Sequence, residues 1–98
     1  MALTGEHNLM LEVLLTANET ERKPTPGCPD GHSKWHGAYR LRTEGLGAGW
    51  TETDVHRVGT ALQRRGLVTH KTLYGVTRWT LTGAGLAQAR RLARSVTP

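Results

Sequence analysis

Residues 50–82, WTETDVHRVGTALQRRGLVTHKTLYGVTRWTLT, decide the fold, because they read without a break as a capped helix, a stop, a hairpin and the start of another helix. Thr51 and Asp54 stand at the spacing of a capping box, in which each side chain satisfies a backbone N–H left free at the helix start. The helix therefore begins near Glu52. Val55, Val58, Gly59 and Leu62 follow at i, i+3, i+4 and i+7, one buried stripe, and Gly66 supplies the left-handed residue that ends it. Asp54, His56, Arg57, Thr60, Gln63 and Arg64 stay outside. Leu67 to Lys71 and Val76 to Leu81 are rich in β-branched and aromatic residues, and Thr72 to Gly75 between them carries the glycine of a tight turn. Alternation in the second strand puts Thr77, Trp79 and Leu81 on one face and Val76, Arg78 and Thr80 on the other. Trp79 is thus expected against the helices and Arg78 in solvent. Thr82 is placed to cap a last helix.

The run ALQRRGLV (Ala61 to Val68), the hairpin after it and LTGAG (Leu81 to Gly85) resemble the winged helix-turn-helix DNA-binding proteins, particularly the MarR-like and PadR-like transcriptional regulators. The likeness spans roughly Trp35 to Val96 and rests on several signals in one order. It implies an α+β winged helix-turn-helix fold: three helices, a two-stranded β wing and a C-terminal helix. It also implies that the helix over 52–65 enters the major groove of double-stranded DNA while the wing, 67–81, touches backbone or minor groove. Base contacts then fall to Thr53, His56, Arg57 and Thr60, with the Arg57 fork matching the two acceptors of guanine. Backbone contacts fall to Arg40, Arg64, Lys71, Tyr74 and Arg78. The expected function is sequence-specific transcription regulation by operator occupancy, a repressor acting by obstruction. An architectural accessory factor of a phage or plasmid is a close relative of that reading. The alternative from another class is a winged helix that docks a partner protein, since fold does not dictate function.

Charge distribution favours the DNA reading. The chain has 98 residues and a net charge of +5. From Thr51 onward Arg57, Arg64, Arg65, Lys71, Arg78, Arg90, Arg91 and Arg94 face only Glu52 and Asp54, whereas the first half is nearly balanced. A polyanion is the natural partner of such a field. A merely solvated basic surface is the plainer alternative, and its coincidence with a helix and hairpin counts against it.

The length suits a single domain, residues 1–98, with one modest core. No apolar run approaches the ~20 residues of a membrane span, and Met1 to Leu15 lacks the basic start and cleavage site of a secretory signal, so a cytoplasmic location is expected. Glu6 to Asn18 reads as a first helix with Met10, Val13, Leu14 and Ala17 in one stripe and Leu11 and Leu15 beside it. Such a helix needs cover on two sides, from the last helix or from another subunit; Leu11 and Leu15 are the candidate interface of a homodimer. Residues 19–33 form a Pro/Gly-rich loop. Cys28, His32 and His36 make a weak candidate for zinc, short of a fourth ligand unless Asp30, His7 or His70 joins them. No cofactor is called for.

Ser33 is expected to cap a second helix from Lys34 to about Glu44, with Trp35, Ala38 and Tyr39 inward and Arg40 outward. GLGAGW (Gly45 to Trp50) is then the turn between the two motif helices, with Leu46 plugging the core. The last helix, from Gly83, should place Leu86, Ala89, Ala93 and Val96 on one side. No catalytic constellation is present: the acids are scattered, the lone cysteine lies in a loop and no serine sits at a nucleophile elbow, so an enzyme is not expected.

Overall fold

Helix α3, Glu52–Arg64, is built as its sequence dictates. In this computed structural model, which describes residues 5–19 and 35–96, Thr51 Oγ1 accepts from the Asp54 backbone N–H at 3.1 Å. Asp54 Oδ2 accepts in return from the Thr51 N–H at 2.9 Å, closing the capping box. Val55, Val58, Gly59 and Leu62 are its buried residues. At the other end Gly66 sits at φ +74°, its N–H bonds the Gln63 carbonyl and the Leu67 N–H bonds that of Leu62, the two hydrogen bonds of a Schellman stop.

The chain then enters a hairpin, β2 (Val68–Leu73) and β3 (Val76–Leu81), in which β2 runs two residues further than the sequence suggested. The turn shrinks to Tyr74 and Gly75, both at positive φ (52° and 76°), as a two-residue turn matched to strand twist requires. The hairpin is also not the two-stranded ribbon expected from the sequence. His36–Gly37 forms a short strand, β1, antiparallel to β3, so the sheet has three strands in the order β1-β3-β2. The fold is α+β: four helices and a three-stranded antiparallel sheet among the described residues.

That strand displaces the expected start of the second helix. Helix α2 spans Ala38–Leu41 and continues as a π-helical turn over Arg42–Leu46. Ser33 and Lys34, the expected cap and first residue, lie outside the described residues. Tyr39, expected in the core, is 80% exposed, because the inward stripe of α2 is carried by Leu41 and Leu46 instead. Arg40 is half-buried rather than free, its NH1 2.8 Å from Glu44 Oε1.

Helix α1 (Gly5–Glu19) buries Met10, Leu11, Val13, Leu14, Leu15 and Ala17. Its two apolar sides are covered from within the chain, since it packs on α3 and on α4 (Gly83–Val96). Leu11 and Leu15 therefore cannot supply a dimer seam: Leu11 is fully buried and Leu15 9% exposed in one chain, and a homodimer would have to use other residues. In α4, Thr82 Oγ1 accepts from the Gly85 N–H as expected of a cap. The inward residues are Gly85 and Ala89 with Leu86 and Leu92 half-buried; Ala93, expected among them, is exposed. Trp79 (1% exposed) is the largest buried side chain, and a Cβ on Gly59 would stand only 2.7 Å from its ring. Helix α3 can lie this close to β3 because that position has no side chain.

A candidate nucleic-acid interface on helix α3 and the hairpin

Thr53, Arg57, Thr60 and Arg64 follow one another at helical spacings of four, three and four, so they run along the side of α3 opposite its buried stripe. Thr53, Arg57 and Arg64 are exposed and Thr60 is half-buried. His56 is exposed but stands on the flank toward the sheet, where its ring meets Trp79 edge-on at 5.8 Å between centroids. His70 of β2 lies against the same indole at 5.0 Å, as their cross-strand pairing requires, and its Nδ1 hydrogen-bonds Gln63 Oε1 of α3. Gln63 and His70 thus stitch helix to hairpin. This link is not readable from the sequence, where Gln63 is only an outward residue and His70 only a remote candidate ligand, because a contact between helix and strand has no periodic signature.

Arg57 is held by acids. Its NH2 lies 2.9 Å from Glu6 Oε2, in the first turn of α1, and 3.5 Å from Asp54 Oδ1. The Glu6 carboxylate, hydrogen-bonded to the guanidinium, is the main reason its pKa is raised, with Asp54 adding to it. Asp54 titrates below the ordinary carboxylate range, chiefly because it accepts from the Thr51 backbone N–H. A carboxylate whose folded pKa is depressed stabilises the fold above its unfolded value of 3.8, and that contribution disappears as pH falls through the folded pKa. Asp54→Ala should therefore lower the melting temperature at neutral pH, and the gap from wild type should close on acidification below 3.8. A gap that stays constant to pH 2 would assign the loss to something other than the carboxylate.

On the hairpin, Lys71 and Arg78 face each other directly across β2 and β3, on the side of the sheet away from Trp79. Like charges so placed repel. The Lys71 ammonium lies 4.3 Å from the centre of the Trp35 ring, whose negative face attracts it and offsets part of that repulsion. Arg78 is exposed, and β1 places Gly37 beside it, so no side chain from that strand covers it. Tyr74 at the tip is fully exposed. Among the five expected backbone contacts, Arg64, Lys71, Tyr74 and Arg78 are on the surface, while Arg40 is committed to Glu44.

Tyr74 also carries backbone strain, since a residue with a side chain at positive φ is disfavoured where asparagine is tolerated. Tyr74→Asn should stabilise the fold by about 0.5–1 kcal/mol. If the tyrosine serves binding, the same change should weaken affinity for duplex DNA. Thermal melts and a DNA titration on one preparation check both, and a variant no more stable than wild type would contradict the strain.

Of the metal candidates, Cys28 and His32 lie outside the described residues. His36 is buried, and its Nε2 donates to Asn18 Oδ1 at 2.5 Å, tying β1 to the end of α1. No group of three His, Cys, Asp or Glu side chains among the described residues could hold a metal ion, and no helix there is long and apolar enough to cross a membrane. Comparison with protein-family models, with curated proteins and with solved structures returns no match to this chain.

Proposed function

We propose that the chain is a winged helix-turn-helix protein that binds double-stranded DNA in a sequence-specific way, as a transcriptional regulator acting by operator occupancy. The observation that carries this reading is the continuity of α3 and the hairpin. A capped helix with Thr53, Arg57, Thr60 and Arg64 on its outer line passes through one glycine into a hairpin that presents Lys71, Arg78 and a fully exposed Tyr74. A 13-residue helix is about 20 Å long, enough to lie along several base pairs of a major groove. The first helix of the pair is then α2 with its π-turn, and the Gly47–Trp50 turn sets the angle between them.

In this arrangement Arg57 reads a base, guanine being the match to its fork, while Arg64, Lys71 and Arg78 neutralise phosphates. The experiment that separates these roles is a pair of substitutions measured on a selected site and on random duplex. Arg57→Ala should weaken the selected site about 5- to 100-fold and random DNA far less. Arg78→Ala should weaken both by similar factors. Equal losses on both DNAs for Arg57→Ala would make Arg57 a phosphate contact and remove α3 as the reader.

A further inference from the structure

We infer that Glu6 masks Arg57, so that the first turn of α1 sets how readily the outer line of α3 engages DNA. This rests on the DNA-binding reading above. Glu6 and Arg57 are 51 positions apart in sequence, yet they meet at 2.9 Å because α1 packs on α3, both helices contributing to one core cluster. The carboxylate is carried by an element fixed in the core, not by a loop. Asp54 Oδ1 lies 3.5 Å from the same nitrogen while its second oxygen is occupied by the helix cap. Two carboxylates thus hold one nitrogen of the guanidinium, and the cluster of Glu6, Asp54 and Arg57 carries a net charge of −1 beside an otherwise basic half of the chain.

The consequence is a competition for the guanidinium. Either bidentate face of the guanidinium includes NH2, the nitrogen that Glu6 and Asp54 hold, so a guanine edge or a phosphate that takes the fork competes with Glu6, and Glu6 itself is repelled as the DNA surface approaches. Asp54 cannot be removed without loss of the cap, whereas Glu6 has no such duty, since its partner among the described contacts is Arg57. Glu6 is therefore the residue through which the strength of DNA binding is adjustable while α3 stays intact. In wild-type protein bound to random duplex, Arg57 remains on Glu6 and contributes no phosphate contact. Once Glu6 loses its charge, Arg57 becomes an additional cation for the backbone.

A double-mutant cycle on a short random-sequence duplex at low salt tests this, using the full chain as wild type, Glu6→Gln, Arg57→Ala and the double variant, each checked by circular dichroism for intact fold. Removing one negative charge strengthens binding by a similar factor whether or not Arg57 is present. Masking adds a gain that needs Arg57: Glu6→Gln should tighten binding about tenfold more in the wild-type background than in the Arg57→Ala background, with the salt slope steeper by about one. Equal gains in the two backgrounds would overturn the masking while leaving DNA binding in place. If no form of the protein, Glu6→Gln included, binds duplex DNA at low salt, both this inference and the reading it rests on fall.

Discussion

Gly85→Ala should abolish the native fold or cost it more than about 4 kcal/mol. The first turn of α4 passes so close to the end of the α3 stop that a Cβ on Gly85 would stand 1.7 Å from the Leu67 carbonyl oxygen and 2.7 Å from its carbon. Both are backbone atoms, so no rotamer change relieves the overlap. The Leu67 carbonyl is also the acceptor for the Thr82 N–H, and Thr82 Oγ1 donates to the Gly66 carbonyl, so moving either segment breaks the bonds that join α3, hairpin and α4. Gly83→Ala, two residues earlier in the same helix with open space around its Cβ position, is the control. It should be neutral or stabilise by up to ~1 kcal/mol, because alanine is the better helix former. Denaturant titration of the two variants checks the contrast, and similar stabilities would mean that α4 does not cross Leu67 as described.

Trp79→Ala should cost about 3–5 kcal/mol, the usual range for removing a large aromatic side chain from a core. Trp79 joins the sheet to α3 and packs against the rings of His56 and His70, so its loss also loosens the seam between helix and hairpin. The close approach of Gly59 gives a specific coupling test. Gly59→Ala should destabilise the wild type by about 1–3 kcal/mol through overlap with the indole, and by much less in a Trp79→Leu background, where the offending ring atoms are gone. Additive costs in the double variant would show that Gly59 does not pack on Trp79.

The parts of this fold legible in the sequence are those whose signals are local. The Thr51/Asp54 box, the stripe from Val55 to Leu62 and the Gly66 stop each lie within one or two turns, and α3 follows from them residue by residue. The inward Trp79 and outward Arg78 follow from alternation within one strand. Strand β1 was not legible, because two residues are too few for alternation to register and its pairing with Trp79 and Arg78 spans 40 positions or more. Trp35, Ala38 and Tyr39 stand at helical spacing, which extends the stripe backward across a strand and puts Tyr39 inside, whereas the strand leaves it exposed. Leu11 and Leu15 show another limit. Their spacing says that a second apolar side needs cover, and only the packing of α4 on α1 shows that the same chain provides it. The acids around Arg57 divide in the same way: Asp54 is visible as an i, i+3 neighbour, while Glu6 is brought there by the packing of α1 on α3.

The measurement that tests the central claim most directly is the affinity of the wild-type chain for random duplex DNA as a function of salt. With Arg64, Lys71 and Arg78 on phosphates, the log–log slope should be about −2.7 per chain, a loss of about 40-fold between roughly 50 and 200 mM salt. Replacing any one of the three by alanine should flatten that slope by about one. Binding that is absent at low salt, or that does not change with salt, would contradict a DNA-binding role for α3 and the hairpin and would favour a protein-docking module instead.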